Sequence, residues 1–282
     1  MPGDLLTAVR TTEPEAAMRR FTAIVNPAAG RAAGAAALIP LARALRGAGA
    51  HVEAEYSRGF GHAAALARRA AESGRTVLAV GGDGMAGTVA GALAGTDAVC
   101  GLVPGAVGRN AVARALGLPR ASEELAELLL RGEPRPVDVL RVEGAERPPD
   151  VALGAVWIGA GAARTAPGRT LAARRSALFR ITVDGTPYEL RGHTAVVANA
   201  PCPGAPAPSG AAPGIRLDDG ALDVAVLGGG PGRRTRPRGE PLRGRSVRVE
   251  ADRPLPYTLD GIPAPALPLT AHVLPAALRV LR

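Results

Sequence analysis

The chain has 282 residues, 47% of them hydrophobic, enough for two domains with real cores and incompatible with disorder throughout. Its formal net charge is +9 and its sequence pI is near 11.0, yet it contains no lysine: all 34 strongly basic residues are arginine. A Walker-type phosphate loop and Schiff-base chemistry, which both need a lysine, are excluded, and an aromatic content of 2% offers no platform for stacking nucleic-acid bases.

Met1 to Arg20 carries Asp4, Glu13 and Glu15 without an apolar run, so no signal peptide is expected. Phe21 to Val25 reads as a buried strand and Asn26-Pro27-Ala28-Ala29-Gly30 as a turn into an alanine-rich helix near 34–49. His51 to Tyr56 alternates like a strand, and Gly61 to Ser73 follows as a helix. Thr76 to Val80 is a strand that runs into Gly81-Gly82-Asp83-Gly84 and then a helix from Met85 to Leu93. Val99 to Val103 is a further strand, followed by a loop from Pro104 to Asn110, a short helix over 111–116 and a helix capped by Ser122 that runs to Leu130. Strands alternating with helices predict a parallel sheet covered on both faces, with ligands gathering at the carboxyl ends of its strands. The turns at Asn26, Gly81 and Gly105 would all open on that edge.

The Gly81–Gly84 hinge is the most informative of these turns. Helix-start N–H groups and the positive end of the helix dipole attract anions, and glycines admit a phosphate to the backbone without a Cβ in the way. A carboxylate in such a nest, Asp83, can hold Mg²⁺ or a water for phosphoryl transfer. Four residues of this kind also make an ordinary turn.

From Arg135 onward the texture changes to Val- and Leu-rich runs broken by Gly and Pro, at 136–142, 151–158, 179–183, 193–199, 222–227, 246–249 and 272–274. Such a series predicts a β-sandwich-like second domain. The expected division is 1–133 and 134–282, with the last strand returning to the first domain. Segments 201–213 and 228–245, rich in Pro, Gly, Ala and Arg, read as loosely ordered. Cys100 and Cys202 lack CxxC spacing and four scattered histidines lack metal-binding pairing, so reduced thiols and no nitrogen- or sulfur-ligated metal are expected. The longest apolar stretch, Val151 to Ala163, falls short of the ~20 residues of a membrane span.

In order, these pieces resemble the catalytic family of diacylglycerol kinases and sphingosine kinases, in particular the bacterial soluble lipid kinases. Ile24-Val25-Asn26-Pro27 with Gly30 is similar to that family's first-strand turn, Val80 to Gly84 to its nucleotide loop, and Pro104 to Pro119 to the loop and helix that follow. Val137-Asp138-Val139, Val196 to Asn199, Leu217-Asp218-Asp219-Gly220-Ala221-Leu222-Asp223 and Tyr257 to Gly261 continue the series, with Leu274 to Val280 as the closing strand. The resemblance implies a Rossmann-like nucleotide-binding α/β domain followed by a β-sandwich-like domain, as in NAD kinase and diacylglycerol kinase, with ATP and Mg²⁺ in the cleft and a lipid hydroxyl as acceptor. It places nucleotide contacts at Asn26, Ser57, Gly81, Gly82, Asp83, Gly84, Met85, Gly87, Val107 and Asn110. Asp83 and Asp138 fall in its water and Mg²⁺ network. A second, structural Mg²⁺ falls on the Asp219 carboxylate with the carbonyls of Arg216 and Ala221; apart from the resemblance, Asp218 and Asp219 also suit an Asp-Gly hairpin turn.

The chain departs from the family at four places. Met85 stands where a Thr or Ser hydroxyl is usual, and the loop from Ala106 to Ala111 lacks the second hydroxyl and carries an extra residue, with Arg109 as a substitute phosphate ligand. Ile262 stands at the Glu read as general base, leaving Asp260 as the nearest candidate to accept a proton. The interval from Ile158 to Ile181 is shorter than the helical excursion of related enzymes, which trims the groove for an acyl chain. Expected partners are nucleotide, a lipid or other small hydroxyl acceptor, and an anionic membrane surface at the periphery of a cytoplasmic protein, with no nucleic acid; a homodimer is left open. Arg233, Arg234, Arg236, Arg238, Arg243, Arg245 and Arg248 are candidates for the anionic contact, or a solvated loop. A non-catalytic nucleotide- or lipid-binding relative and an NAD kinase-like enzyme are the alternatives.

Overall fold

The computed structural model describes residues 19–26, 31–105, 110–144, 150–162, 175–200, 216–228, 236–237 and 242–282, with backbone alone at 31–35 and 236–237. The first half alternates β1 (Arg20–Val25), α1 (Arg31–Gly47), β2 (His51–Tyr56), α2 (Phe60–Glu72), β3 (Thr76–Gly81), α3 (Asp83–Leu93) and β4 (Val99–Pro104), then α4 (Ala111–Ala115) and α5 (Ser122–Arg131). The strands pair in parallel in the order β2-β1-β3-β4. Their apolar runs are continuous because both faces are covered. Phe21, Val25, Leu78 and Val80 pack with Leu41, Leu45 and Leu129 on one face, while Ile24, Val77 and Ala79 pack with Leu66, Val89 and Leu93 on the other. Ser122 is the first residue of α5, and Ala121 precedes it at the cap without a side-chain hydrogen bond, so the predicted serine cap is not formed.

The second half contains β5 (Pro134–Gly144), β6 (Asp150–Ala152), β7 (Ala155–Gly159), β8 (Ala177–Val183), β9 (Thr186–Gly192), β10 (Thr194–Ala198) and β11 (Leu222–Gly228). It continues with β12 (Arg236–Pro237), β13 (Leu242–Gly244), β14 (Ser246–Ala251), β15 (Pro256–Leu259), β16 (Ile262–Ala266) and β17 (Leu269–Leu281). The long β17 joins the halves: its end lies parallel to β4 at Arg279 and Val280, its start lies beside β14, and β5 runs antiparallel along it. One ten-stranded sheet therefore passes from the α/β half into the sandwich. The opposing seven-stranded sheet has the order β12-β11-β10-β7-β15-β16, with β13 also on β11. Between the two lies a core that includes Leu140, Ile158, Phe179, Val197, Val224, Val249 and Tyr257. This is the α/β plus β-sandwich architecture expected from the sequence.

Three local expectations need correction. The single strand over 151–158 divides into β6 and β7, because the N–H groups of Leu153, Gly154 and Ala155 turn toward a side chain instead of a neighbouring strand. The 228–245 segment is not loose throughout, since β12 and β13 both pair with β11; 229–235 and 238–241 lie outside the described residues, as do 1–18 and all of 201–215. Strand β16 was hidden by Pro263 and Pro265, which its position at the sheet edge tolerates.

Candidate active site

Strands β1, β2, β3 and β4 bring Asn26, Ser57, Gly81 and Gly105 to one edge. Ser57 donates its N–H to the Val25 carbonyl at 2.8 Å, and Gly105 donates to the Gly81 carbonyl at 3.1 Å. Asn26 is buried, and Ser57 is only 2% exposed while its Oγ has no hydrogen-bond partner among the described residues. Buried hydroxyls without a partner are rare, because desolvating them costs free energy that a ligand would return. Pro27 to Gly30 and Ala106 to Arg109, including the candidate contact Val107 and the substitute ligand Arg109, lie outside the described residues.

The glycine turn leads directly into α3. Gly81 has φ +149°, and a Cβ there would stand 3.2 Å from the Met85 Cβ. Gly82 caps the helix in extended conformation and Asp83 is its first residue. The Asp83 carboxylate accepts from Ala111 N at 3.1 Å and Val112 N at 3.2 Å, so it occupies the start of α4. Asn110 completes the junction, its Oδ1 accepting from Ala113 N at 2.8 Å and its Nδ2 donating to the Gly81 carbonyl at 3.2 Å. Burial pushes the Asp83 carboxyl up from its ordinary range, opposed by the Ala111 and Val112 N–H groups and then by Arg114. Met85 is buried in the α/β core, so its side chain points away from the turn's solvent side, and its N–H donates to the Gly82 carbonyl at 3.0 Å.

Opposite α3, Asp260 (φ +49°) and Gly261 (φ +86°) form the two-residue link between β15 and β16, the left-handed pair that a tight hairpin requires. The Asp260 carboxylate accepts from Leu153 N at 2.7 Å, Gly154 N at 2.9 Å and Ala155 N at 2.8 Å. It lies so close to α3 that a Cβ on Gly87 would stand 2.3 Å from its Oδ2. Burial pushes this carboxyl up to about 7, and the Asp83 charge adds to the rise, while the Ala155, Leu153 and Gly154 N–H groups oppose it. Oδ1 takes two backbone N–H groups and Oδ2 one, so the carboxylate is anchored to the Leu153–Ala155 segment with an acceptor position left on Oδ2 alone. Ile262 is half-buried, its Cγ1 3.1 Å from where a Gly84 Cβ would be.

Asp138, on β5, is 3% exposed. Its Oδ2 accepts from Gly220 N at 2.7 Å and its Oδ1 from Ala276 N at 2.8 Å, in the irregular stretch of β17. Its own N–H donates to the Leu217 carbonyl at 2.6 Å. Asn199, fully buried, donates Nδ2 to the carbonyls of Asp138 at 2.8 Å and Leu153 at 3.1 Å. Asn199 thus links Asp138 to the segment that holds Asp260. The sequence showed it only as a strand-ending asparagine, and its burial with a two-acceptor amide is what marks it.

The expected metal residues meet a different partner. Asp219 Oδ2 lies 2.5 Å from Arg243 Nη2, and its Oδ1 accepts from Ala221 N at 3.2 Å. Asp218 accepts from Arg216 Nε at 3.0 Å and pairs with Arg282, contacts that hold its carboxyl below the usual range. Burial raises the carboxyl of Asp223, lowered in turn by Arg243 and raised by Asp219. Among the described residues no group of three His, Cys, Asp or Glu could hold a metal ion. Of the arginines considered for an anionic surface, Arg243 is thus engaged, Arg248 pairs with Glu250, and Arg233, Arg234 and Arg238 lie outside the described residues. Cys100 is buried, its thiol pushed up to about 12 by burial, and Cys202 lies outside the described residues.

Residues 20–142 match the diacylglycerol kinase catalytic domain, and residues 164–282 match the YegS C-terminal NAD kinase beta sandwich-like domain. The chain thus carries a diacylglycerol kinase catalytic domain followed by a YegS C-terminal NAD kinase beta sandwich-like domain. Its fold is similar to that of a diacylglycerol kinase from Bacillus anthracis str. Sterne, at 20% identity over 94% of this chain and 96% of that one, with a TM-score of 0.66. Two further structures from the same organism are similar, one at 20% identity and TM-score 0.69, the other at 19% and 0.65, each over 93% of this chain and 96% of the other. At such identities the likeness speaks for the fold alone. No curated protein matches the chain. No helix among the described residues is long and apolar enough to cross a membrane.

Proposed function

We propose that the chain binds ATP with Mg²⁺ at the carboxyl edge of the parallel sheet and moves the γ-phosphate to a hydroxyl of a lipid or small apolar alcohol, in a step slowed by the loss of the family's base. The observation that carries this reading is the Gly81–Gly84 turn at the start of α3, next to the partnerless Ser57 hydroxyl on the same edge. The N–H groups of Gly82, Asp83 and Gly84 belong to the first turn, where a helix supplies no internal acceptor, and phosphate oxygens suit them. Asp83 and Asp138 fit a hydrated Mg²⁺, because each carboxylate oxygen that accepts one N–H keeps a lone pair for a water. When bound, Mg²⁺ supplies charge neutralisation at the phosphate oxygens.

Asp260 acts here as a positioning residue: it fixes the β15–β16 turn against α3 and sets where Ile262 meets Gly84. Transfer forms a bond from the acceptor oxygen to the γ-phosphorus and breaks the bond to the β–γ bridging oxygen. The acceptor's proton passes to water, since Ile262 cannot take it. A missing base lowers a rate by about 10²–10⁴-fold. Radiolabelled ATP assayed against a lipid panel and NAD, with wild type and Ile262→Glu side by side, tests the reading. Slow lipid labelling that Ile262→Glu raises by about 10²-fold or more supports it. Equal rates for both proteins, or labelling of NAD in place of lipid, contradict it.

A further inference from the structure

The fold family's second domain implies a divalent cation on the Asp218–Gly220 turn, and the residues of this chain do not fit one. A hard cation needs several oxygen ligands at about 2.0–2.6 Å. Here one Asp219 oxygen faces the Arg243 guanidinium at 2.5 Å and the other takes the Ala221 N–H at 3.2 Å. A divalent ion on that carboxylate would sit against a fixed positive charge. The charges of the surroundings already balance, with Arg216, Arg243 and Arg282 facing Asp218, Asp219 and Asp223.

The placement of Arg243 is built into the sheet. It lies on β13 directly across from Asp223 of β11, and the next residue, Gly244, has no room for a side chain because a Cβ would stand 2.4 Å from Val183 Cγ1. A register slip would force a larger residue into that gap. The turn is also held without an ion, through the Gly220 N–H and Leu217 carbonyl on Asp138 and through Asp218 on Arg282.

We propose that Arg243 takes the place of the family's structural cation, its guanidinium neutralising and orienting Asp219, so that this chain builds its β-sandwich turn without a divalent metal. The proposal goes beyond the kinase reading and concerns the protein without nucleotide, so the two can fail separately. Thermal unfolding of the full chain is measured in EDTA and in millimolar Mg²⁺ or Mn²⁺, with no nucleotide present. The wild-type midpoint is expected not to move. Arg243→Gln lowers it by about 2–4 °C in EDTA, Mg²⁺ or Mn²⁺ restores it, and adding Asp219→Asn removes the restoration. A wild-type midpoint raised by metal through Asp219, or an Arg243→Gln protein indifferent to metal, overturns the proposal. If Arg243→Gln does not fold, Mn²⁺ titration followed by electron paramagnetic resonance decides: equal uptake by wild type and Asp219→Asn supports the proposal, and a site lost in Asp219→Asn overturns it.

Discussion

Two sets of carboxylates in this molecule are held by different chemistry. Asp83, Asp260 and Asp138 are gripped by backbone N–H groups from segments distant in sequence, whereas Asp218 and Asp219 are gripped by arginine side chains. Backbone donors are fixed by the fold, survive every side-chain substitution except one to proline and are little affected by salt. Guanidinium pairs at half-exposed positions are open to both. The first arrangement suits a site whose geometry must not vary, and the second secures a turn whose charge would otherwise repel.

Breaking a backbone-held carboxylate should cost the most. Asp138→Ala leaves the Gly220 and Ala276 N–H groups without an acceptor in a buried place, and chemical denaturation should show a loss of about 3 kcal/mol or more. Gly87→Ala pushes a methyl into the Asp260 carboxylate and should cost about 2 kcal/mol by the same measurement, with wild-type stability contradicting the packing of that turn on α3.

The carboxylates also differ in how they respond to pH. Asp260, raised to about 7, binds its proton more tightly when folded than when unfolded, so its contribution is present in full below its ordinary value near 3.8 and is lost as pH rises toward 7. Asp83 is shifted in the same direction. Unfolding free energy should therefore fall with rising pH across that window, by up to about 1.4 kcal/mol per unit from Asp260, and Asp260→Asn should flatten the profile while lowering stability throughout. Asp218 has the opposite sign, its stabilisation present above its ordinary value and lost as pH falls further. The smallest effect belongs to the arginine pairs: raising salt should weaken Asp219–Arg243 by no more than about 0.5 kcal/mol, seen as a double-mutant coupling that shrinks with ionic strength.

The parallel sheet was legible because strands buried on both faces are apolar over most of their length, as Phe21 to Val25, apart from Thr22, and Val77 to Val80 are. The glycine turn and the Asp260-Gly261 link were legible for a local reason, since φ and helix-start chemistry restrict the residue types there. What Asp260 binds was not, because its donors lie more than a hundred residues away in sequence. Arg243 was read only as part of a basic run, and its pairing with Asp219 depends on the β11–β13 register, which Gly- and Pro-rich flanks conceal.

The proposed nucleotide site lies at the α3 turn. Calorimetric titration of ATP·Mg²⁺ into wild type and into Gly84→Val tests it most directly, because a side chain at position 84 would meet Ile262 and the Asp260 carbonyl at the mouth of that turn. Saturable heat for one site is expected in wild type and is expected to be lost in the variant. Absence of heat in wild type, or equal binding by both proteins, would contradict it.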